Sequence, residues 1–238
     1  MKILTIIPAR GGSKGLPNKN IRNLLGKPLI AWSIDTAKEL NEHFDNRIVV
    51  STDSEEIANV AKEYGAEIPF LRPAHLATDE ASTMDVILHV IDFFEQKNEV
   101  FDLILLLEPT SPQRTAADVQ SAIAQLTNTP DAESIVGICQ AESSHPAFLV
   151  KLEDQFLRSY QNKTFEVIRR QDIEDFYFFE GSLYLSYTES LKKRKNFYHE
   201  QTLGYVVPKW KSFEVDDMTD LVIIEALLKA KQDNLIQD

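Results

Sequence analysis

The chain has 238 residues, 43% of them hydrophobic, and a formal net charge of −12. That length suits one α/β domain with a sizeable core, and the acidity argues against a nucleic-acid binder, whose footprint is a basic face. The lone Cys139 excludes an internal disulfide or a cysteine-based zinc cluster. No apolar run approaches the roughly 18 residues of a membrane span and no signal-peptide pattern opens the chain, so a cytoplasmic protein is expected.

Ile3, Leu4, Ile6 and Ile7 make a run too short for a helix, which reads as a buried strand. It leads into residues 8–20, PARGGSKGLPNKN, with glycines at 11, 12 and 15 and cations at Arg10, Lys14 and Lys19. A Gly-rich turn presents backbone N–H groups and fixed cations add charge, so the stretch suits a polyanion. The bland alternative is a strand-to-helix loop with solvated charges. Neither Gly-x-x-x-x-Gly-Lys-Ser/Thr nor Gly-x-Gly-x-x-Gly is present. In an acidic chain, cations gathered in one loop point to an anionic small molecule.

Lys27-Pro28 marks a helix start, with Ile30, Ile34 and Ala37 at helical spacing. Residues 47–51 read as a strand, followed by the capping cluster at 52–55 and a helix that Gly65 ends. Residues 72–79 are irregular. Ser82 or Thr83 caps a helix carrying Val86, Ile87, Val90, Ile91 and Phe94. Residues 101–107 are the most central-looking strand, then come a helix over 116–126 and a strand over 134–139. This alternation predicts a Rossmann-like, mostly parallel sheet covered on both faces, with ligands beyond the carboxyl ends of its strands. From about residue 142 the rhythm changes: 148–152, 156–160 and 176–187 read as strands without regular helices between them. We read residues 1–238 as one domain carrying a small antiparallel excursion over about 141–200. A strand near 203–207 and a helix over 218–231, with Leu221, Ile224 and Leu228 on one face, complete the chain.

Serine-hydrolase chemistry lacks its Gly-x-Ser-x-Gly elbow, and Cys139 sits in an apolar strand with no His nearby in sequence, as a structural cysteine would. No His-x-x-x-His pair supports a zinc site. His145-Pro146 reads as shaping the start of the excursion. Glu214 and Asp216, two apart on a strand-like segment, would share a face and repel each other unless a cation stands between them. Magnesium suits such a pair because it takes one or two carboxylates plus substrate phosphates. The alternative is helix capping, with Asp217 at the N-cap and Asp220 at N3. Arg169-Arg170-Gln171 offers an arginine fork for a carboxylate, or else a solvated pair.

The run Pro8-Ala9-Arg10-Gly11-Gly12-Ser13-Lys14-Gly15-x-Pro17-x-Lys19-Asn20 resembles the signature of the acylneuraminate cytidylyltransferases, the CMP-sialic acid synthetases. Ser51-Thr52-Asp53, Arg72-Pro73-Ala74 with Leu76-Ala77-x-Asp79, and Pro109-Thr110-Ser111-Pro112-x-Arg114 also match, in the family's order. His145-Pro146, Gly181-x-x-Tyr184 and Glu214-Val215-Asp216 match more weakly. The resemblance implies a fold of nucleotide-diphospho-sugar transferase type, the excursion serving dimerisation and sugar binding. It implies that the anomeric hydroxyl of a nine-carbon acidic α-keto sugar attacks the α-phosphate of CTP, giving CMP-sugar and pyrophosphate with magnesium, or manganese in its place. By the same pattern Arg10, Gly11, Gly12, Ser13, Lys14 and Lys19 hold the triphosphate, and Asn20 meets the ribose. Arg72, Ala81 and Thr83 read the cytosine. Glu108, Arg170, Gln171, Glu180 and Tyr184 belong to the sugar side, and Glu214 and Asp216 position the metal. Arg10, Lys19 and Asp216 carry the catalytic expectation. The partners implied are CTP, an acidic nonulosonic sugar and a second copy in a homodimer, with no nucleic acid and no membrane.

Several positions depart from the sialic acid pattern. Glu108 stands where that pattern has Gln, Glu180 where it has Asn, and Phe148 where it has a basic residue; the metal pair is Glu-x-Asp instead of Asp-x-Asp. An amide replaced by a carboxylate only accepts hydrogen bonds. That change favours a sugar with other amides or hydroxyls, such as di-N-acylated legionaminic or pseudaminic acid. A non-catalytic nucleotide-sugar binding module and a transferase using another base are the competing readings.

Overall fold

Lys2–Pro8 forms strand β1, with Ile3 and Ile7 on one face and Leu4 and Ile6 on the other, all fully buried. This run stays apolar because both faces are covered, as a parallel strand between helix layers requires. The computed structural model describes residues 1–142, 144–160 and 173–237. After β1 come the two-residue strands β2 (Asn23–Leu24) and β3 (Lys27–Pro28), helix α1 (Leu29–Glu39), β4 (Asp45–Ser51), α2 (Glu55–Glu63), α3 (Thr83–Glu95), β5 (Leu103–Leu106), α4 (Ala116–Asn128) and β6 (Ser134–Gln140). Then follow β7 (Val150–Glu153), β8 (Phe156–Ser159), β9 (Tyr177–Tyr187), α5 (Thr188–Arg194), β10 (Thr202–Val206) and α6 (Met218–Gln232).

The main sheet has the order β10-β6-β9-β5-β1-β4 and is parallel except at β9, which pairs antiparallel with both β5 and β6. Ile3 and Ile7 pack in one layer with Ile30 and Ile34 of α1 and with Val119 and Ile123 of α4. Leu4 and Ile6 pack in the other with Ile87, Val90, Ile91 and Phe94 of α3. Local chemistry sets the helix starts. Ser54 accepts from Ile57 N, Ser82 accepts from Asp85 N, and Thr115–Asp118 and Asp217–Asp220 each form a reciprocal capping box. Gly65, at φ +96°, ends α2.

Two expectations change. β9 was expected in the excursion, yet it lies between β5 and β6, with its first three residues exposed and Glu180–Leu183 buried. What stands off the sheet is the β7–β8 hairpin, every residue of which is exposed or half-exposed. Its turn places Asp154 and Gln155 at φ 48° and 70°, the left-handed pair that two-residue hairpins use. The second change is α5, a helix where none was expected; it packs against Phe101 and Phe94 through Leu191 in the α3-side layer. His145 does shape the entry to the hairpin. Its Nδ1 accepts from Ala147 N at 3.0 Å, which leaves the Nε2 proton for the Glu174 carbonyl at 3.0 Å. Cys139 is buried, and burial pushes its thiol pKa up, as for an inert core cysteine.

A third cluster joins the Gly-rich loop to the end of the chain: Leu16, Leu24 and Leu29 pack with Val215 and with Leu221, Ile224 and Leu228 of α6. Burying Leu16 stabilises that junction by about 1.5–3 kcal/mol, more than the ~1 kcal/mol at most from an exposed ion pair of the same loop. Packing, not charge, places the loop beside residues 214–216.

Candidate active site

A cavity of about 570 Å³ opens beyond the carboxyl ends of β1, β4 and β5. One wall is the loop after β1, from which Arg10, Ser13, Lys14, Lys19 and Asn20 face in. The opposite wall is the segment leading into α3, with Arg72, Ala81 and Thr83. Glu108 and Asp216 close the remaining sides. Ten of the expected site residues therefore share one cavity.

The Gly-rich wall is braced by the chain around it. Asn20 is buried and donates from Nδ2 to the Arg10 carbonyl at 3.0 Å, so its amide holds the loop's own backbone. Lys19, 16% exposed at its side chain, donates to the Val215 carbonyl at 2.8 Å and to Asp216 Oδ1 at 3.1 Å. It is a held cation and not the freely solvated one the loop's composition suggested. Gly15 is required here: an added Cβ would lie 2.5 Å from the Asp216 carbonyl oxygen. Gly11 and Gly12 lie outside the cavity lining, and the Gly11 N–H is already donated to Asp53 Oδ1 at 2.9 Å. That bond gives the Ser51-Thr52-Asp53 motif a role, which is to pin the Gly-rich turn.

Arg72 is buried, and its guanidinium is largely committed to Ser51, donating from Nε to Oγ at 3.1 Å and from Nη2 to the carbonyl oxygen. Burial lowers its pKa to about 10, against the opposing pull of Asp53. It ties the segment before α3 to the end of β4 and still borders the cavity.

The acidic edge has a definite electrostatic character. Burial, and next the neighbouring Glu214, push the Glu108 carboxyl up to about 7. Burial also raises Glu214, and Asp216 adds to the shift, although Glu214 Oε1 accepts from the Gly181 N–H. The segment carrying Glu214 and Asp216 is irregular, not a strand, and the Asp217–Asp220 capping box forms beside it, so capping and edge coexist. Among the described residues no group of three or more His, Cys, Asp or Glu side chains makes a protein-only metal cage. Asp216 lines the cavity and Glu214 does not, yet the two are close enough for Asp216 to raise the Glu214 pKa. Such hard carboxylate oxygens fit a divalent cation shared with substrate phosphates.

On the sugar side the outcome is mixed. Glu108 borders the cavity. Glu180 is 2% exposed, with its carboxylate turned onto the Ser182 N–H and hydroxyl, and it does not line the cavity. Tyr184 lies in β9 against Phe197 and Tyr198, ring centroids 5.5 and 6.1 Å away, and burial raises its pKa. Arg170 and Gln171 fall outside the described residues. Sequence reading gave Asp79 no role, although it lines the cavity and was visible as the end of Leu76-Ala77-x-Asp79.

Glu180 yields a pH prediction. Burial raises its carboxyl to about 7, above its unfolded value, so folding takes up a proton there. Its contribution is full below about pH 4.5 and is lost as pH rises through 7, an effect on the order of 3 kcal/mol. Glu180→Gln should flatten the fall in melting temperature between pH 5 and pH 8. Parallel profiles for the two proteins would refute this.

The sheet order, with a cation-lined cavity at the strand ends, defines an α/β protein with a fold of nucleotidyltransferase type. Residues 4–235 match the family described as Cytidylyltransferase, and the chain belongs to that family. It is 34% identical over 99% of its length to the whole of a CMP-N,N'-diacetyllegionaminic acid synthase of Legionella pneumophila. A pseudaminic acid cytidylyltransferase of Campylobacter jejuni is 32% identical over 98% of this chain and 99% of its own length. An N-acylneuraminate cytidylyltransferase of Escherichia coli is 31% identical over 97% of this chain, which spans only 53% of that relative. Among solved structures, a CMP-2-keto-3-deoxy-manno-octonic acid synthetase complexed with CTP superposes with a TM-score of 0.68, covering 97% of this chain and all of that one at 16% identity, a likeness of fold. No helix among the described residues is long and apolar enough to cross a membrane.

Proposed function

We propose that the chain couples CTP to the anomeric hydroxyl of an acidic nine-carbon sugar, releasing pyrophosphate and forming the CMP-sugar. The observation that carries this reading is the single cavity in which Arg10, Lys14 and Lys19 face the Asp216 edge, with the Arg72 segment opposite. Charge grows on phosphate oxygens during nucleotidyl transfer, and preorganised cations stabilise it without reorganising. Arg10, Ser13 and Lys14 would grip the triphosphate, and Lys19 would stabilise charge at the reacting phosphate. Ala81 and Thr83, beside the cap of α3, would meet the cytosine. Asp216 and Glu214 would hold magnesium, or manganese in its place, which supplies Lewis-acid polarisation of phosphate and hydroxyl oxygens when bound.

For the sugar, a di-N-acylated acid of the legionaminic type is favoured over N-acetylneuraminic acid. Glu108 in its ionised form accepts hydrogen bonds where the sialic acid pattern has an amide, and this suits a substrate bringing an extra N–H. The stereoisomeric pseudaminic acid is the second reading, supported by the Campylobacter relative. We propose lipopolysaccharide or capsule biosynthesis as the destination of the product. Pyrophosphate release from CTP, and not from UTP, ATP or GTP, tests the base assignment.

We also propose a homodimer. Leu152, Phe156 and Leu157 of the hairpin and Phe179 of β9 are more than half exposed. A two-stranded hairpin with both faces in water is marginally stable by itself, so a second copy is the covering that fits. Light scattering at micromolar concentration should give near twice 27.1 kDa; a monomer mass would count against it.

A further inference from the structure

Asp79 lines the cavity and bridges two of its cations. Its Oδ1 accepts from Arg10 Nη1 at 2.5 Å, and its Oδ2 faces Lys14 Nζ at 2.5 Å. Each carboxylate oxygen thus takes one cation, as two non-bridging phosphate oxygens would. The cations belong to the loop after β1 and the carboxylate to the segment before α3, so the contact joins opposite walls. Lys14 is 75% exposed at its side chain, yet its ammonium leans onto Asp79 instead of extending into water. Lys14, and next Arg10, hold the Asp79 carboxyl below the usual carboxylate range. Arg10 also lowers the Arg72 pKa, so like charges crowd this part of the cavity, and the Asp79 carboxylate offsets the two cations it contacts.

We propose that Asp79 is an internal stand-in for the triphosphate: it gathers Arg10 and Lys14 across the cavity, is displaced when the nucleotide's phosphates arrive, and returns as pyrophosphate leaves. The inference rests on the reading of residues 8–20 as a triphosphate cradle. Exposed ion pairs are weak, so a polyanion breaks both readily. The contact costs the nucleotide some affinity and favours release of the product. It also couples the phosphate wall to the base wall, because Asp79 and the base-side Ala81 and Thr83 share one segment.

The test is calorimetry with inorganic pyrophosphate and with CTP on the wild type, Asp79→Asn and Arg10→Ala, with thermal denaturation to confirm folding. Asp79→Asn should bind pyrophosphate about three- to tenfold more tightly than the wild type. Arg10→Ala should bind both anions more weakly. If Asp79→Asn proves unfolded, Asp79→Ser is measured instead and must show the same gain. Equal or weaker pyrophosphate binding by the folded Asp79 variant, with the Arg10→Ala loss intact, overturns the stand-in role alone. Undiminished binding by Arg10→Ala, or no binding by the wild type, overturns the cradle and the stand-in together.

Discussion

Lys19→Ala is expected to lower kcat/KM for CTP by about 10²–10³-fold while the protein still folds, the loss seen when one preorganised donor to a developing oxyanion is removed. Lys19 is the cation held nearest the acidic edge, fixed at 2.8 Å on the Val215 carbonyl and 3.1 Å from Asp216. A flexible lysine would pay rotamer entropy at each turnover; this one is already ordered. The structural cost is modest. Asp216 is 80% exposed, so that ion pair stabilises little, and the Val215 hydrogen bond contributes about 1 kcal/mol. The melting temperature should fall by only about 2–6 °C. Activity within threefold of the wild type would show that Lys19 serves the junction with Val215 and not the chemistry.

Arg114→Ala should be the most damaging single change to stability, at about 3–5 kcal/mol. The guanidinium is buried, donating to the Ser182 carbonyl, to Ser33 Oγ and to the Glu108 carbonyl at 2.8 Å. It ties β9, α1 and the loop after β5 at one point. Glu180, Glu108 and Asp118 offset part of the burial that lowers its pKa to about 10, and Arg114 in turn opposes the upward shifts of Glu108 and Glu180. Removing it takes one donor each from the Ser182 and Glu108 carbonyls and the counter-charge from the Glu108 and Glu180 carboxyls. The melting temperature should drop by roughly 10 °C. Arg114→Lys should recover part of that, keeping the charge but not the planar fork. A melting temperature within 2 °C of the wild type in the alanine variant would contradict the account.

The helix and strand rhythm up to residue 139 was legible because its signals are local: short apolar runs, Ser54 and Ser82 at helix starts, Gly65 at a helix end. β9 was legible as a strand but not as a member of the main sheet, because its pairing with β5 spans about eighty residues and leaves no periodic trace. The cations of the site were legible for the same local reason, crowded into one loop. Their partners were not. The Gly11–Asp53, Arg10–Asp79 and Lys19–Val215 contacts join residues 42, 69 and 196 positions apart. Glu180 shows the cost: a residue type aligned with a sugar-side position turned out to face Ser182 inside the sheet.

The most direct test is pyrophosphate release from CTP and magnesium with a panel of N,N'-diacetyllegionaminic, pseudaminic and N-acetylneuraminic acids. Release should be fastest with a di-N-acylated acid and should stop on chelation of the metal. Folded protein that releases no pyrophosphate with any acidic nine-carbon sugar, or that does so equally well from UTP, would contradict the assignment.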